Sequence, residues 1–372
     1  MRIVSIVGAR PQFVKLAPVC RAIERHNTTG GDRIEDCIVH TGQHYDRGMS
    51  AVFFEELAIP RAAVELGVGS GTHGQQTARM LERIEALLQK QRPDAVVVYG
   101  DTNSTVAGAL AASKLHIKVA HVEAGLRSFN RLMPEEINRV ATDHMSDLLL
   151  APTPTAMRNL EQERLGERAV FTGDVMYDAV LHARERATGR SSVLERMGVN
   201  PYGYGVVTLH RAENTTAPEL RRVLTALNEV ARRHLPLLFP VHPRTARMLR
   251  DELHDWSAVA TLRLVEPFGY LDMMRLVDAA RLVLTDSGGL QKEAFFLGCP
   301  CITLRNETEW VETVEAGGNV VTGIEAEPVL AAVSRWLEQP ARPAPAGNGA
   351  SRPFGSGQAA TAIVAALARM AT

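Results

Sequence analysis

The 372-residue chain has no long block of one charge, and its formal net charge is −1. That balance offers no basic surface to nucleic acid and no polybasic anchor to a membrane. No apolar run reaches bilayer-spanning length, and residues 3–7 are too short for the core of a signal peptide. A soluble, cytoplasmic protein is the expectation. Cysteine is scarce: Cys20, Cys37, Cys299 and Cys301 are the four. Cys299-Pro300-Cys301 has no second Cys/His cluster at zinc-like spacing, so it reads as small apolar residues entering a buried strand, and no metal is expected. There is no Walker loop, and no Gly-x-Gly-x-x-Gly follows any strand read from the sequence, which argues against bound NAD. Short repeats are also lacking. A chain this long, without those features, suits two ordinary domains.

What is present is alternation. Apolar, β-branched runs at 3–7, 37–40, 95–99, 117–122 and 147–151 read as buried parallel strands. A second set lies at 206–209, 237–241, 262–265, 282–285 and 301–304. Helical patterns separate them; Pro11 opens the first, whose apolar face is Phe13, Leu16, Ala17, Cys20 and Ile23. Strand–helix alternation predicts right-handed βαβ units and parallel sheets. The junction is placed within 178–205, with one connecting helix. Residues 339–355, rich in Pro, Ala and Gly, read as a loop, and 358–370 as an amphipathic helix. The fold class is α/β: two doubly wound Rossmann-like domains facing across a cleft. Residues 1–177 form the first, 178–355 the second, and 356–372 a helix packing back on the first.

In open α/β sheets ligands bind beyond the carboxyl ends of the strands. Asp101 and Glu123 stand at two successive tips, and Glu135 follows in Met133-Pro134-Glu135-Glu136. Paired acids at one pocket suit proton transfer. One polar residue after a strand is commonly only a turn residue, but here polar groups recur at nearly every tip. Thr285-Asp286-Ser287-Gly288-Gly289 leaves a strand and opens a helix. Its glycines let backbone approach a ligand, and the helix start favours an anion such as diphosphate. Ser287 can add a hydrogen bond, and Glu293, two turns on, can accept ribose hydroxyls. Arg10 is a phosphate clamp or a salt-bridge partner. Lys15 reads more readily as part of a solvated helix face. His210 and His242, at neighbouring tips, are candidates for phosphate contact or proton transfer. Phe268 stacks on a base or fills the core. Of Glu135 and Glu136, one is catalytic and the other a first-turn acid.

Taken together, Gly8-Ala9-Arg10-Pro11-Gln12, Gly100-Asp101-Thr102, His121-Val122-Glu123-Ala124-Gly125-Leu126-Arg127, Pro134-Glu135-Glu136 and Thr285-Asp286-Ser287-Gly288-Gly289 occur in order. The chain thereby resembles the non-hydrolysing UDP-N-acetylglucosamine 2-epimerases along essentially its full length. The resemblance implies the two-domain GT-B fold and interconversion of UDP-GlcNAc and UDP-ManNAc with no added cofactor. It implies elimination and re-addition of UDP through 2-acetamidoglucal, domain closure over substrate, and a homodimer. Asp101, Glu123 and Glu135 match the family's catalytic acids and His210 its cleft histidine. Arg10, Lys15, His242, Phe268, Ser287, Gly288, Gly289 and Glu293 are assigned to the UDP-sugar.

The chain departs from the family at three places, one of them the spacing between Glu123 and Glu135, which is shorter than in the best-known bacterial members and is filled by Ser128-Phe129-Asn130-Arg131. Many members carry Thr-Glu-Arg-Pro-Glu where this chain has Thr308-Glu309-Trp310-Val311-Glu312. Gln43 and His44 match part of the site where some bacterial members bind a second UDP-GlcNAc as activator, while Tyr45-Asp46 and Gly69-Ser70 do not complete it. These variations resemble the branch containing epimerases of UDP-2,3-diacetamido-2,3-dideoxy-glucuronic acid, in which Arg127, Arg131 or Arg305 would pair with a sugar carboxylate or form salt bridges. Other readings are a GT-B glycosyltransferase, a hydrolysing epimerase and a non-catalytic nucleotide-sugar sensor.

Overall fold

The computed structural model describes residues 1–30, 32–43, 54–211, 214–339 and 353–370. The chain divides into two units, Met1–Ala179 with Pro353–Thr372, and Val180–Arg352. The first begins β1 (Arg2–Val7), α1 (Arg10–Thr28), β2 (Glu35–His40), β3 (Val64–Glu65) and α2 (His73–Gln91). It continues β4 (Ala95–Tyr99), α3 (Asn103–Lys114), β5 (Lys118–Val122), α4 (Pro134–Met145), β6 (Leu148–Ala151), α5 (Pro154–Gln162) and β7 (Ala169–Phe171). These strands form one parallel sheet in the order β3-β2-β1-β4-β5-β6-β7.

Helix α6 (Val175–Arg190) carries the chain from one unit into the next. The second unit runs α7 (Val193–Met197), β8 (Gly205–Thr208), α8 (Ala217–Arg233), β9 (Leu237–Pro240), α9 (Pro243–Asp251), β10 (Leu262–Val265) and α10 (Tyr270–Ala279). It ends with β11 (Leu282–Thr285), α11 (Gly288–Phe296), β12 (Cys301–Thr303), α12 (Val311–Glu315), β13 (Asn319–Val321) and α13 (Ala326–Glu338). Its parallel sheet has the order β10-β9-β8-β11-β12-β13. Both orders reverse beside the first strand of the unit, the switch point where doubly wound sheets bind ligands.

Burial on both faces explains the apolar runs. In β4 every residue from Ala95 to Tyr99 is inaccessible to solvent. Register follows the same residues: Ile6 pairs with Val98 on one side and Val39 on the other. In the second unit Val207, Phe239, Leu282 and Ile302 join Leu220, Leu224 and Leu227 of α8 in one core.

The last helix, α14 (Ala359–Met370), belongs to the first unit and packs on α1. Asp178 caps it by accepting from the amides of Ala359 and Ala360, at 3.1 and 2.9 Å. Lys118 donates to the carbonyl of Met370 at its far end, at 2.6 Å.

Three differences from the sequence reading stand out. Strands β3, β7 and β13 are additional; each has only two or three residues, and none is wholly buried. Because β3 exists, Gly69-Ser70-Gly71-Thr72-His73-Gly74 does follow a strand and open a helix, contrary to the expectation that no such spacing would. It lacks the dinucleotide geometry, since a side chain at Gly74 would meet open space where the fingerprint needs close helix–strand packing. The region 178–205 holds α7 besides the connecting α6. The loop expected at 339–355 lies, over 340–352, outside the described residues.

Candidate active site

The strand tips of the first unit are fixed by Gln12, which is fully buried on α1. Its amide oxygen accepts from the backbone of Gly8 and Ala9 at 2.8 and 3.0 Å. Its amide nitrogen donates to the carbonyl of Tyr99 at 2.9 Å and to Thr105 Oγ1 at 3.1 Å. One side chain thus ties the end of β1 to the end of β4, the strand that delivers Asp101.

Glu123 follows β5 with a left-handed backbone, φ 74°. Its carboxylate meets Lys15 Nζ at 2.6 Å, and both side chains are buried. Lys15 is therefore not on a solvated face. It lies on the sheet side of α1, and its charge balances a carboxylate that burial alone would penalise. A Cβ on Gly100 would lie 3.2 Å from Glu123 Oε2 and from Lys15 Nζ, and Gly100 itself has φ 63°. Glycine is needed there on both counts, and the contact places the Glu123 carboxylate against the residue preceding Asp101.

Asp101 is about a third exposed and its carboxylate is bonded to the guanidinium of Arg139. Arg139 also donates to Glu136 at 2.9 Å. Glu136, almost fully buried, accepts from Ser128 N and Oγ at 2.9 Å and from Phe129 N at 3.0 Å. Glu135 is exposed. Of the two neighbouring acids, Glu136 holds the chain between β5 and α4, and Glu135 remains open to solvent.

Beneath the tips lies a buried polar group. His121 places Nδ1 2.7 Å from Asp143 Oδ1 and Nε2 2.7 Å from the carbonyl of Gly100. Asp143 also accepts from Arg127 at 2.7 Å and from Gly125 N at 3.0 Å. Burial works to raise the Asp143 carboxyl, but the bonds from His121 and Arg127 outweigh it and hold it below its ordinary range. Arg127 is further bound to Glu163 through Nε and NH2, at 2.7 and 2.8 Å.

In the second unit Asp286 organises the tips. Fully buried, it accepts from His210 N at 3.1 Å, Arg211 N at 3.0 Å and Asn214 Nδ2 at 3.3 Å. His210 Nδ1 lies 3.2 Å from the same carboxylate. A carboxylate only accepts, so Nδ1 carries the proton in that bond. Burial pushes the Asp286 carboxyl up, but the bond and charge of His210, together with the backbone amides of Arg211 and His210, outweigh it and hold the carboxyl below its ordinary range. The His210 and His242 rings are 5.8 Å apart, and His242 caps α9 by accepting from Arg244 N at 3.2 Å.

Ser287 caps α11, its hydroxyl oxygen accepting from Leu290 N at 3.4 Å while its O–H stays available to donate. Gly288 is required by close approach: a Cβ there would collide with Glu309 Oε1. Gly289 is exposed at the helix start, Glu293 is buried on α11, and Phe268 is half-buried. Glu309 is held below its ordinary range despite burial, by Arg305 and Arg211. Lys292 places its ammonium 3.8 Å over the ring of Trp310.

The model of the family described as UDP-N-acetylglucosamine 2-epimerase matches residues 26–368. A UDP-2,3-diacetamido-2,3-dideoxy-D-glucuronate 2-epimerase of Pseudomonas aeruginosa is 45% identical over 374 residues, covering 100% of both chains. A UDP-N-acetylglucosamine 2-epimerase of Methanocaldococcus jannaschii is 44% identical over 374 residues, covering 99% of each. The crystal structure of Methanocaldococcus jannaschii UDP-GlcNAc 2-epimerase in complex with UDP-GlcNAc and UDP superposes with a TM-score of 0.89 at 42% identity, covering 99% of this chain and 100% of that one. The chain belongs to the UDP-N-acetylglucosamine 2-epimerase family.

As a member of that family it is an isomerase with two GT-B-type parallel sheets. The structure brings Asp101, Glu123 and Lys15 together, with Glu135 on the helix that grips Asp101. In the second unit it gathers His210, His242 and the Ser287 turn around Asp286. Arg127 and Arg305 are engaged by Asp143 and Glu163 and by Glu309, so neither is open to a sugar carboxylate; Arg131 is exposed. Position 310, where arginine is the family pattern, is Trp310, and its ring carries the Lys292 ammonium. Gln43 turns its amide oxygen to Ser104, at 3.1 Å from N and 2.8 Å from Oγ, while His44 lies outside the described residues.

Arg139, Asn138 and Asp143 did not emerge from sequence reasoning. A signal was present: the buried residues of α4 are Glu136, Arg139, Thr142 and Asp143, all polar. A helix whose inward stripe is polar is built to support a site.

Proposed function

We propose that the chain is a UDP-N-acetylhexosamine 2-epimerase that interconverts UDP-GlcNAc and UDP-ManNAc. The observation that carries this reading is the pair of adjoining strand-tip acids, Asp101 and Glu123, each matched with its own cation. One carboxylate takes the C2 proton. The C2–H electrons form the C1=C2 bond, the C1–O bond breaks, and its electron pair leaves with UDP. UDP then adds back to 2-acetamidoglucal while a second acid returns a proton to the other face of C2. Glu135 completes the acid set, and His210 serves as a further proton carrier. Lys15 acts chiefly through Glu123. In the second unit the helix start at Ser287, Gly288 and Gly289, with His242, holds the diphosphate, Glu293 takes ribose hydroxyls and Phe268 stacks on uracil; in the first unit Arg10 is the phosphate-binding residue.

The test is NMR of UDP-GlcNAc with the purified protein in heavy water. Deuterium at C2 together with a UDP-ManNAc signal is expected. No C2 exchange in either UDP-GlcNAc or the diacetamido-glucuronate sugar rejects the reading. Free sugar accumulating in step with UDP points to hydrolysis instead.

The second reading, epimerisation of UDP-2,3-diacetamido-2,3-dideoxy-glucuronic acid, is favoured by the 45% identity to the Pseudomonas enzyme of that name. Exposed Arg131 would then meet the sugar carboxylate. A panel of UDP-sugars scored for C2 exchange separates the two. A cytoplasmic homodimer supplying polysaccharide precursors belongs to the same proposal, with light scattering as the check on the dimer. With Gln43 directed at Ser104, the expected rate curve in UDP-GlcNAc is hyperbolic.

A further inference from the structure

Asp101 is gripped at two points by consecutive residues of one helix. Asn138 Nδ2 donates to the Asp101 carbonyl at 3.0 Å and also reaches Asn103 Oδ1 at 3.3 Å. Arg139 takes the Asp101 carboxylate with one arm of its guanidinium and Glu136 with the other. Glu136 is in turn locked to Ser128 and Phe129. Arg139 is only 5% exposed, so its planar fork has little freedom between the two carboxylates.

Glu135 lies three and four residues before these grips, on the same helix. Residues at those spacings are neighbours on the helix surface, and a helix rises a fixed distance of about 1.5 Å per residue. The separation between Asp101 and Glu135 is therefore set by a rigid element and not by the chain joining β4 to α4.

We propose that Asn138 and Arg139 form a two-point clamp that sets the position of the Asp101 carboxylate relative to Glu135, which makes Arg139 a positioning residue for the epimerisation proposed above. The choice of arginine fits the task. A guanidinium does not give up its proton in proteins, so it can hold a proton-transferring carboxylate without becoming a competing acid. Lysine in its place keeps a charge but loses the fork that spans Asp101 and Glu136.

Two measurements on the full chain decide this, and the first needs no substrate. Hydrogen–deuterium exchange of a peptide covering residues 100–106 is compared in wild type, Arg139→Gln, Asn138→Leu and the surface control Arg158→Gln. Exchange should rise about tenfold in the first two variants, as for loss of roughly one native hydrogen bond's worth of protection, and stay unchanged in the control. Equal exchange in all four overturns the clamp, whether or not the protein epimerises anything.

The second measurement is steady-state epimerisation of UDP-GlcNAc. Arg139→Lys, chosen to keep the charge and the fold, should lose about a hundredfold in kcat with KM within about threefold, the scale of a misplaced reacting group. Arg139→Ala should regain activity when guanidinium chloride is added at low concentration. A raised KM with unchanged kcat would make Arg139 a substrate-binding group and overturn the proposal, as would full activity in Arg139→Lys. A wild-type protein that exchanges no C2 proton counts against the epimerase reading, and the exchange measurement still decides the clamp.

Discussion

The two units use the same topology and handle charge at their strand tips in opposite ways. In the first, two acids sit at adjacent tips and each is paired with a cation from a helix: Lys15 from α1 and Arg139 from α4. In the second, the buried acid Asp286 is occupied by backbone amides, Asn214 and His210. What that unit leaves outermost is histidine, serine and helix-start amides. The first arrangement suits moving protons, because each carboxylate is held in place by a cation, with Asp101 partly exposed and Glu123 buried beside it. The second suits holding an anion, because Asp286, the carboxylate at its tips, is already occupied by backbone amides, Asn214 and His210. A shared fold thus carries two chemistries through the residue that follows each strand.

The contrast is broken most directly at the acids. Asp101→Asn, Glu123→Gln and Glu135→Gln should each lower turnover by about two orders of magnitude or more, the usual scale for acid–base groups, with UDP affinity by calorimetry retained. Wild-type turnover in all three would leave the first unit without its proposed role. Lys15→Met leaves Glu123 buried without its cation, and urea unfolding should show a loss of about 3 kcal/mol or more. A stability equal to wild type would mean that Glu123 does not depend on the pair.

Away from the site, Asp36 offers a pH test of the first unit alone. It accepts from Ser5 Oγ at 3.1 Å, and Ser5 also meets Tyr99 OH at 3.2 Å. Burial pushes the Asp36 carboxyl up to about 7. The folded form therefore holds a proton that the unfolded chain releases near pH 4, and stability falls as pH rises from about 4 to 7. Asp36→Asn should stabilise the protein by about 2–4 kcal/mol above pH 7 and by almost nothing near pH 4, read from urea midpoints at both pH values. The smallest expected effect sharpens the second unit's role: Ser287→Ala should weaken UDP by about 1 kcal/mol or somewhat more, the low end for one hydrogen bond to a charged group. Unchanged affinity would remove Ser287 from the cradle.

Much of the fold was legible because parallel strands covered on both faces are continuous apolar runs. The strand read at 95–99 coincides with β4, and those at 262–265 and 282–285 with β10 and β11. Strands β3, β7 and β13 escaped because each has only two or three residues, Val64-Glu65 and Asn319–Val321 are also mixed in polarity, and their pairing is dictated by neighbours. At the site, strand-tip position was enough to pick out Asp101, Glu123 and the Ser287 turn. Their partners were not visible, because Arg139 lies 38 residues from Asp101 and Lys15 more than a hundred from Glu123. Such pairings exist only once the sheet has assembled. The polarity of the inward face of α4 was the one local clue to them.

The return of α14 to the first unit has a practical consequence for dissecting the protein. The polypeptide passes between the units twice, near 179–180 and near 352–353. A gene fragment stopping after Ala179 would strip α1 of the helix carrying Ile363, Val364 and Leu367, all buried, and leave Asp178 with no amides to receive. Such a fragment would present a greasy stripe and tend to aggregate. Splicing residues 353–372 directly behind Ala179 restores that cover, and is the way to produce the acid-bearing half as a free-standing piece.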